Sequence, residues 1–186
     1  MTRDLRLASF NIESLDDGPH APPLPERAAI LRPQLLRLDA DVLCLQEVNG
    51  QRDRPRAPRR LRALDALLDG TPYADFARVH TVREGAAGGG ASALDRHNLV
   101  VLSRLPIRAH RQVQHHLVRP PAFAPPSLGA GAPVRDLTWD RPLLHVALDL
   151  GPRTLHVLNL HLRAPRAAFV EGQKRAGEWR SMGAWA

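Results

Sequence analysis

Asp41-Val42-Leu43-Cys44-Leu45-Gln46-Glu47-Val48 is the stretch that decides the fold. Its apolar residues do not alternate with polar ones, so the pattern predicts a strand covered on both faces, inside a layered sheet. Glu47 stands directly behind that run. A carboxylate so close to a buried strand is costly unless an arginine pairs with it or a cation binds it, and both readings stand. Cys44 reads as a small buried hydrophobe.

Working outward, Leu5 to Ile12 is apolar on both faces, and Asn11 and Glu13, two apart, project from one side of its end. A polar, Pro-rich loop follows, then a helix over Glu26–Leu38 with an apolar stripe, in which Pro33 implies a kink or a restart. Downstream, an Arg/Pro loop leads to a helix over Leu61–Leu68 that stops at Gly70-Thr71-Pro72. Strands are predicted at Phe76–Val82 and Leu99–Ser103, and a half-exposed one at 107–117. A long Pro-rich loop spans 119–142. Leu143–Leu150 and Thr154–Leu162 flank Gly151-Pro152-Arg153 as a hairpin. Asn159 and His161 share one face of the last, which reads as deeply buried. His156 faces the other way and reads as structural, and His115-His116 as surface. Glu171 to Ala186 reads as a helix with Trp179, Met182 and Trp185 on one stripe.

At 186 residues the chain has the length of one domain, and its 44% apolar and 24% charged residues are those of an ordinary globular protein. It has no Gly-x-Ser-x-Gly elbow, no Cys/His zinc spacing and no P-loop ending. No run reaches the ~20 apolar residues of a membrane helix, so stable membrane insertion is not expected and a cytoplasmic location is. The net charge is +7, and only Lys174 among the 26 basic residues is lysine. Arginine excess suits phosphate recognition, and it equally suits a compositional bias shared with Ala, Leu, Pro and Gly.

Four elements together resemble the endonuclease/exonuclease/phosphatase superfamily. They are Asn11-Ile12-Glu13-Ser14-Leu15, the Asp41 to Glu47 strand, Asn98 to Pro106 with its Leu-Ser-Arg-x-Pro ending, and Asn159 to Leu162. The resemblance implies an α/β fold, a layered α-β-β-α sandwich of mixed, largely antiparallel sheets. It implies a metal-dependent phosphoester hydrolase, a phosphodiesterase, nuclease or phosphatase using Mg²⁺ or Mn²⁺. Glu47 would bind the metal directly and Glu13 through water. Asn11 would hold phosphate or the attacking water, and His161 would contact the scissile phosphate, with Asn159 in the same catalytic group. Asn98 and Arg104 would support the rim. The substrate would be DNA, RNA, a phospholipid headgroup or an inositol phosphate.

The family's later Gly-Asp-x-Asn strand and closing Asp-His pair do not occur after His161. Residues 1–186 therefore read as a single truncated domain, incomplete at its C-terminal end and inactive or nearly so by itself. The apolar stripe of the tail would be uncovered and favour self-association. The alternative from another class is a non-catalytic remnant, an Arg-rich phosphate- or nucleic-acid-binding module.

Overall fold

Both faces of the Asp41–Val48 stretch are covered, and by different things. In the computed structural model, which describes residues 4–19, 22–83, 92–124, 129, 131–139, 141–162, 174–175 and 178–179, this segment is strand β2 (Val42–Val48). It pairs in parallel with β1 (Leu7–Leu15) and antiparallel with β4 (Asn98–Ser103), which in turn pairs with β3 (Ala77–His80). The sheet order is β1-β2-β4-β3. Leu43 and Leu45 of β2, with Val100 and Leu102 of β4, join one core with helices α1 (Leu24–Leu38) and α2 (Arg62–Leu68). Val42, Cys44, Leu99 and Val101 face the other way, onto a second sheet. That division explains why neither strand alternates: each neighbour along the chain is buried in a different core.

The second sheet has the order β5-β8-β9, all antiparallel, from β5 (Ile107–Val113), β8 (Leu143–Leu150) and β9 (Arg153–Asn159). Leu144, Val146, Leu148 and Val157 fill the space between the sheets. The architecture is an α/β sandwich of a helical layer, one mixed sheet and one antiparallel sheet. β9 departs from the expected deeply buried strand. It is an edge strand, and Leu158 is 59% exposed on its outer face.

Pro33 lies within one helix, α1, instead of dividing it. Arg32 beside it donates to Ala66 O (2.6 Å) and Leu67 O (2.9 Å) at the end of α2, so the two helices share a tie where the proline removes a backbone donor. Asp39 ends α1 in a left-handed conformation (φ 41°), and its N–H returns to Leu36 O. Burial pushes the Cys44 thiol up to about 11, which leaves it an inert packing group.

The described residues form two compact units, Met1–Val113 with Pro142–His161, and Gln114–Arg141 with Leu162–Ala186. The first holds both sheets. In the second, the expected loop at 119–142 contains a short ladder, β6 (Ala122–Phe123) with β7 (Arg135–Asp136). The expected tail helix is corrected where the tail is described: β10 (Lys174–Arg175) pairs antiparallel with β11 (Glu178–Trp179). Gly177, between them in sequence, is a poor helix residue by about 1 kcal/mol. Met182 and Trp185 lie outside the described residues. Among the described residues no helix is long and apolar enough to cross a membrane.

Candidate active site

The ladders on both sides of β2 lose register at the same level. Between Leu45↔Val100 and Val48↔Asn98, two β2 residues face one on β4; between Asn11↔Gln46 and Leu15↔Val48, three β1 residues face one on β2. Such bulges bend a strand and re-aim its side chains. The residues carrying the irregularity have left-handed backbones: Glu13 (φ 54°), Ser14 (φ 51°) and Glu47 (φ 63°), joined by His97 (φ 57°) just before β4. Non-glycine residues of this kind cost on the order of 1 kcal/mol each, and they collect where side-chain placement matters more than backbone comfort.

Glu47 is the centre of what they build. Its Oε1 accepts from Asn11 Nδ2 (3.0 Å) and faces His161 Nε2 at 3.4 Å. Its Oε2 accepts from the Ser14 N–H (3.1 Å) and Ser14 Oγ (3.2 Å). Burial alone would raise the Glu47 pKa, but hydrogen bonds from Asn11 and Ser14 and the facing charges of His97 and His161 prevail, and it lies below the ordinary carboxylate value. The carboxylate is therefore ionised at neutral pH, and its contribution to stability is lost only as pH falls through that lowered value.

Asn11 serves two residues, because its Oδ1 accepts the Glu13 N–H at 2.9 Å while its Nδ2 holds Glu47. Arg27 reaches back from α1 to the carbonyls of Glu13 (2.8 Å) and Ser14 (3.1 Å) and fixes the irregular end of β1. Of the residues singled out in the sequence, Asn11, Glu47 and His161 are brought into contact, and the exposed Glu13 lines an adjoining cavity of about 520 Å³. His97 also lines it, 3.3 Å from Ser14 Oγ and with its ring centroid 6.1 Å from that of His161. Ser14 and His97 are functional candidates the sequence reading did not assign. The only sequence signal for either is adjacency to Glu13 and to Asn98.

None of the three remaining candidates hydrogen-bonds Glu47 among the described residues; two brace the elements around it and one lies at the far end. Asn159 is buried between the sheets, where its Nδ2 donates to Leu45 O (3.1 Å) and Val100 O (3.0 Å), the carbonyls at the β2/β4 irregularity. Its Oδ1 accepts from Gln46 Nε2 (2.8 Å). Asn98, fully buried, donates to Val48 O and Leu94 O and accepts from Thr81 Oγ1 and the Leu94 N–H, so its amide is fully used in joining β4 to its neighbours. Arg104 corrects the sequence reading. Ser103 pairs with Val42 whereas Asn98 pairs with Val48, so Arg104 follows the opposite end of β4, ~20 Å from the Glu47 rim at the rise of a strand. There it pairs with Asp41 (2.8 Å) and packs over the Phe76 ring.

The sequence profile described as the Endonuclease/Exonuclease/phosphatase family matches residues 8–180. The chain belongs to this family. Among solved structures, an endonuclease/exonuclease/phosphatase family protein from Leptotrichia buccalis C-1013-b aligns with 87% of this chain and 56% of its own, at 15% identity and a TM-score of 0.52. A selenomethionine crystal structure of TDP2 from Caenorhabditis elegans aligns with 87% of this chain and 36% of its own, at 18% identity and a TM-score of 0.50. A family protein from Beutenbergia cavernae DSM 12333 is 26% identical over 88% of this chain and 39% of its own, with a TM-score of 0.47. The first two share the fold. The family member of known structure from Leptotrichia is thus spanned over about half its length, the other two over less. No curated protein matches the chain.

Proposed function

We propose that the Glu47 rim is the catalytic end of a divalent-cation-dependent phosphoesterase of the nuclease or phosphatase type. The observation that carries this reading is the Glu47 carboxylate, held by Asn11 and Ser14 and faced by His161 at a bulged strand end. Membership of the family supports phosphoester hydrolysis as the reaction class.

The donor chemistry suits Mg²⁺ or Mn²⁺. Such hard cations take oxygen ligands, and Mg²⁺ typically uses one or two carboxylates and keeps several waters. Glu47, ionised at neutral pH, and Glu13, exposed at the cavity wall, fit that mode and would hold the ion. When bound, it would polarise a phosphoryl oxygen and lower the pKa of a coordinated water.

The chain's own residues do the rest. Asn11 orients the two carboxylate-bearing residues through the two ends of one amide. His161 contacts the scissile phosphate and carries a proton for the departing oxygen, its imidazolium stabilised by Glu47. Asn159, two residues before it, acts as a positioning residue by anchoring the end of β9 to both β2 and β4. DNA, RNA, phospholipid headgroups and inositol phosphates all present the bond this arrangement attacks.

Hydrolysis of such esters needs one of the largest barrier reductions enzymes achieve, and groups acting as a unit lose nearly all of it when members are missing. Among the described residues no set of three acidic, His or Cys side chains is arranged to hold a metal. With Glu47 the one carboxylate held by several donors at this rim and Glu13 exposed beside it, we propose turnover by these 186 residues close to background. The test is hydrolysis of bis(p-nitrophenyl) phosphate and p-nitrophenyl phosphate by the purified chain, with Mg²⁺, Mn²⁺ or a chelator. Any rate above background is expected only with a cation. A rate that survives the chelator contradicts the mechanism, and vigorous turnover contradicts the low-activity claim.

A further inference from the structure

Beside the Glu47 rim, one charge in the cavity wall has no role in the chemistry above. Arg96 and His97 occupy the turn that leads into β4, and both line the cavity of about 520 Å³. That turn is pinned along its length. The Leu94 N–H and carbonyl both bond to the Asn98 amide, at 2.8 and 3.0 Å. The Gly50 N–H donates to Asp95 O (3.0 Å), and the His97 N–H donates to Asn49 Oδ1 (3.1 Å). Asp95, the nearest acid to Arg96 in sequence, is paired instead with Arg59 at 2.6 Å. Among the described residues Arg96 has no ion-pair partner.

Of the other charges of the cavity, the Glu13 carboxylate belongs to the cation site proposed above, and the next two are committed. Arg27 spends its guanidinium on the carbonyls of the β1 end. The Asp16 carboxylate is held by Asn49, Gln51 and the backbone N–H groups of Asp17 and Gly18. His97 keeps a left-handed backbone (φ 57°) that glycine would adopt freely. A pinned turn thus presents the Arg96 guanidinium, and beside it the His97 imidazole whose Nε2 already meets Ser14 Oγ at 3.3 Å, to a cavity large enough for a small-molecule ligand.

We infer that Arg96 and His97 form an anion subsite for a second phosphate group of the substrate, next to the scissile one at Glu47. The guanidinium fork binds phosphate through two parallel hydrogen bonds, and the imidazole adds a third donor. The inference rests on the phosphoesterase reading, and it narrows the substrate to molecules carrying two phosphates a short span apart. A phosphorylated dinucleotide and an inositol bisphosphate both supply that chemistry.

NMR titrations of the 186-residue chain in Mn²⁺-free Mg²⁺ buffer distinguish them. The ligands are thymidylyl-thymidine with and without a 5′-phosphate, and inositol 1,4-bisphosphate against inositol 1-phosphate. In one of the two pairs the second phosphate is expected to tighten binding by about tenfold, the scale of a charge-assisted bidentate contact. Arg96→Gln should erase that advantage and leave the affinity for the one-phosphate ligand as in the parent, while Arg96→Lys keeps part of it. His97→Gly should melt at a higher temperature, because the strain is relieved, and still lose part of the two-phosphate advantage. An advantage that persists in Arg96→Gln, or that is absent from the parent while the one-phosphate ligands bind, overturns the subsite alone. If none of the four ligands binds, the phosphoesterase reading fails and the subsite fails with it. A lower melting temperature for His97→Gly contradicts the backbone strain assigned to His97, and a full two-phosphate advantage in that variant removes its imidazole from the subsite.

Discussion

Glu47→Gln is expected to weaken binding of Mn²⁺ to the chain by about a hundredfold or more, since it removes a direct anionic ligand and even an outer-sphere partner is typically worth 10- to 100-fold. Any cation-dependent hydrolysis should fall to background with it. The same substitution has a readable structural cost. The carboxylate accepts from Asn11 and faces His161 on one oxygen, and accepts twice from Ser14 on the other. A glutamine must turn an NH₂ group toward one of those donor pairs, which costs about 1–3 kcal/mol as an unmet contact. For a chain of this size that lowers the melting temperature by ~3–10 °C without unfolding it. Titration calorimetry with Mn²⁺ and a thermal melt measure both effects. Unchanged Mn²⁺ affinity in a folded Glu47→Gln protein would remove Glu47 from the site.

The second large effect belongs to Asn159. Its amide holds Leu45 O, Val100 O and Gln46 Nε2, three groups in the space between the sheets. In Asn159→Ala both carbonyls lose this partner in a dry interior, and Gln46 keeps only Ser9 Oγ and Cys44 O. At about 1–3 kcal/mol for each buried polar group left short, the loss is ~3 kcal/mol or more, a large share of a typical domain's stability. The melting temperature should fall by ~10 °C. Asn159→Asp should be at least as harmful, because a carboxylate would face two carbonyl oxygens. Circular dichroism melts of both variants check this. A melt within about two degrees of the parent would mean the amide does not hold the sheets together.

The layered core was legible because Val42 to Leu45 of β2 and Leu99 to Leu102 of β4 are apolar at consecutive positions, a pattern that a doubly covered strand needs. The hairpin of β8 and β9 was legible from Gly151-Pro152, whose glycine takes a left-handed φ of 69°. Chemistry was less legible because it depends on which end of a strand a residue occupies. Asn98 and Arg104 belong to one linear motif, yet the six residues from Asn98 to Ser103 are the whole of β4 and leave Arg104 beyond its far end, beside Asp41. Asn159 enters the catalytic group only through the family resemblance of Asn159 to Leu162, and its contacts with Leu45 O and Val100 O between the sheets are a feature no linear motif carries. Ser14 and His97 carry no role in the sequence reading because a left-handed backbone at a register break brings them to the rim, and no residue type announces that. The tail misled for a similar reason: apolar residues at three-residue spacing suggest a helix, while Lys174–Arg175 and Glu178–Trp179 pair as strands.

The most direct test of the central claim is a Mn²⁺ titration of the ¹⁵N-labelled chain, read as loss of amide signals near the paramagnetic ion. The rim described here predicts that substoichiometric Mn²⁺ first broadens Asn11, Glu13, Ser14, Glu47, His97 and His161, that Arg104 and Asp41 at the opposite end of the strands stay sharp, and that Mg²⁺ in excess restores the signals. Broadening that begins elsewhere, or that is the same in Glu47→Gln, would contradict it.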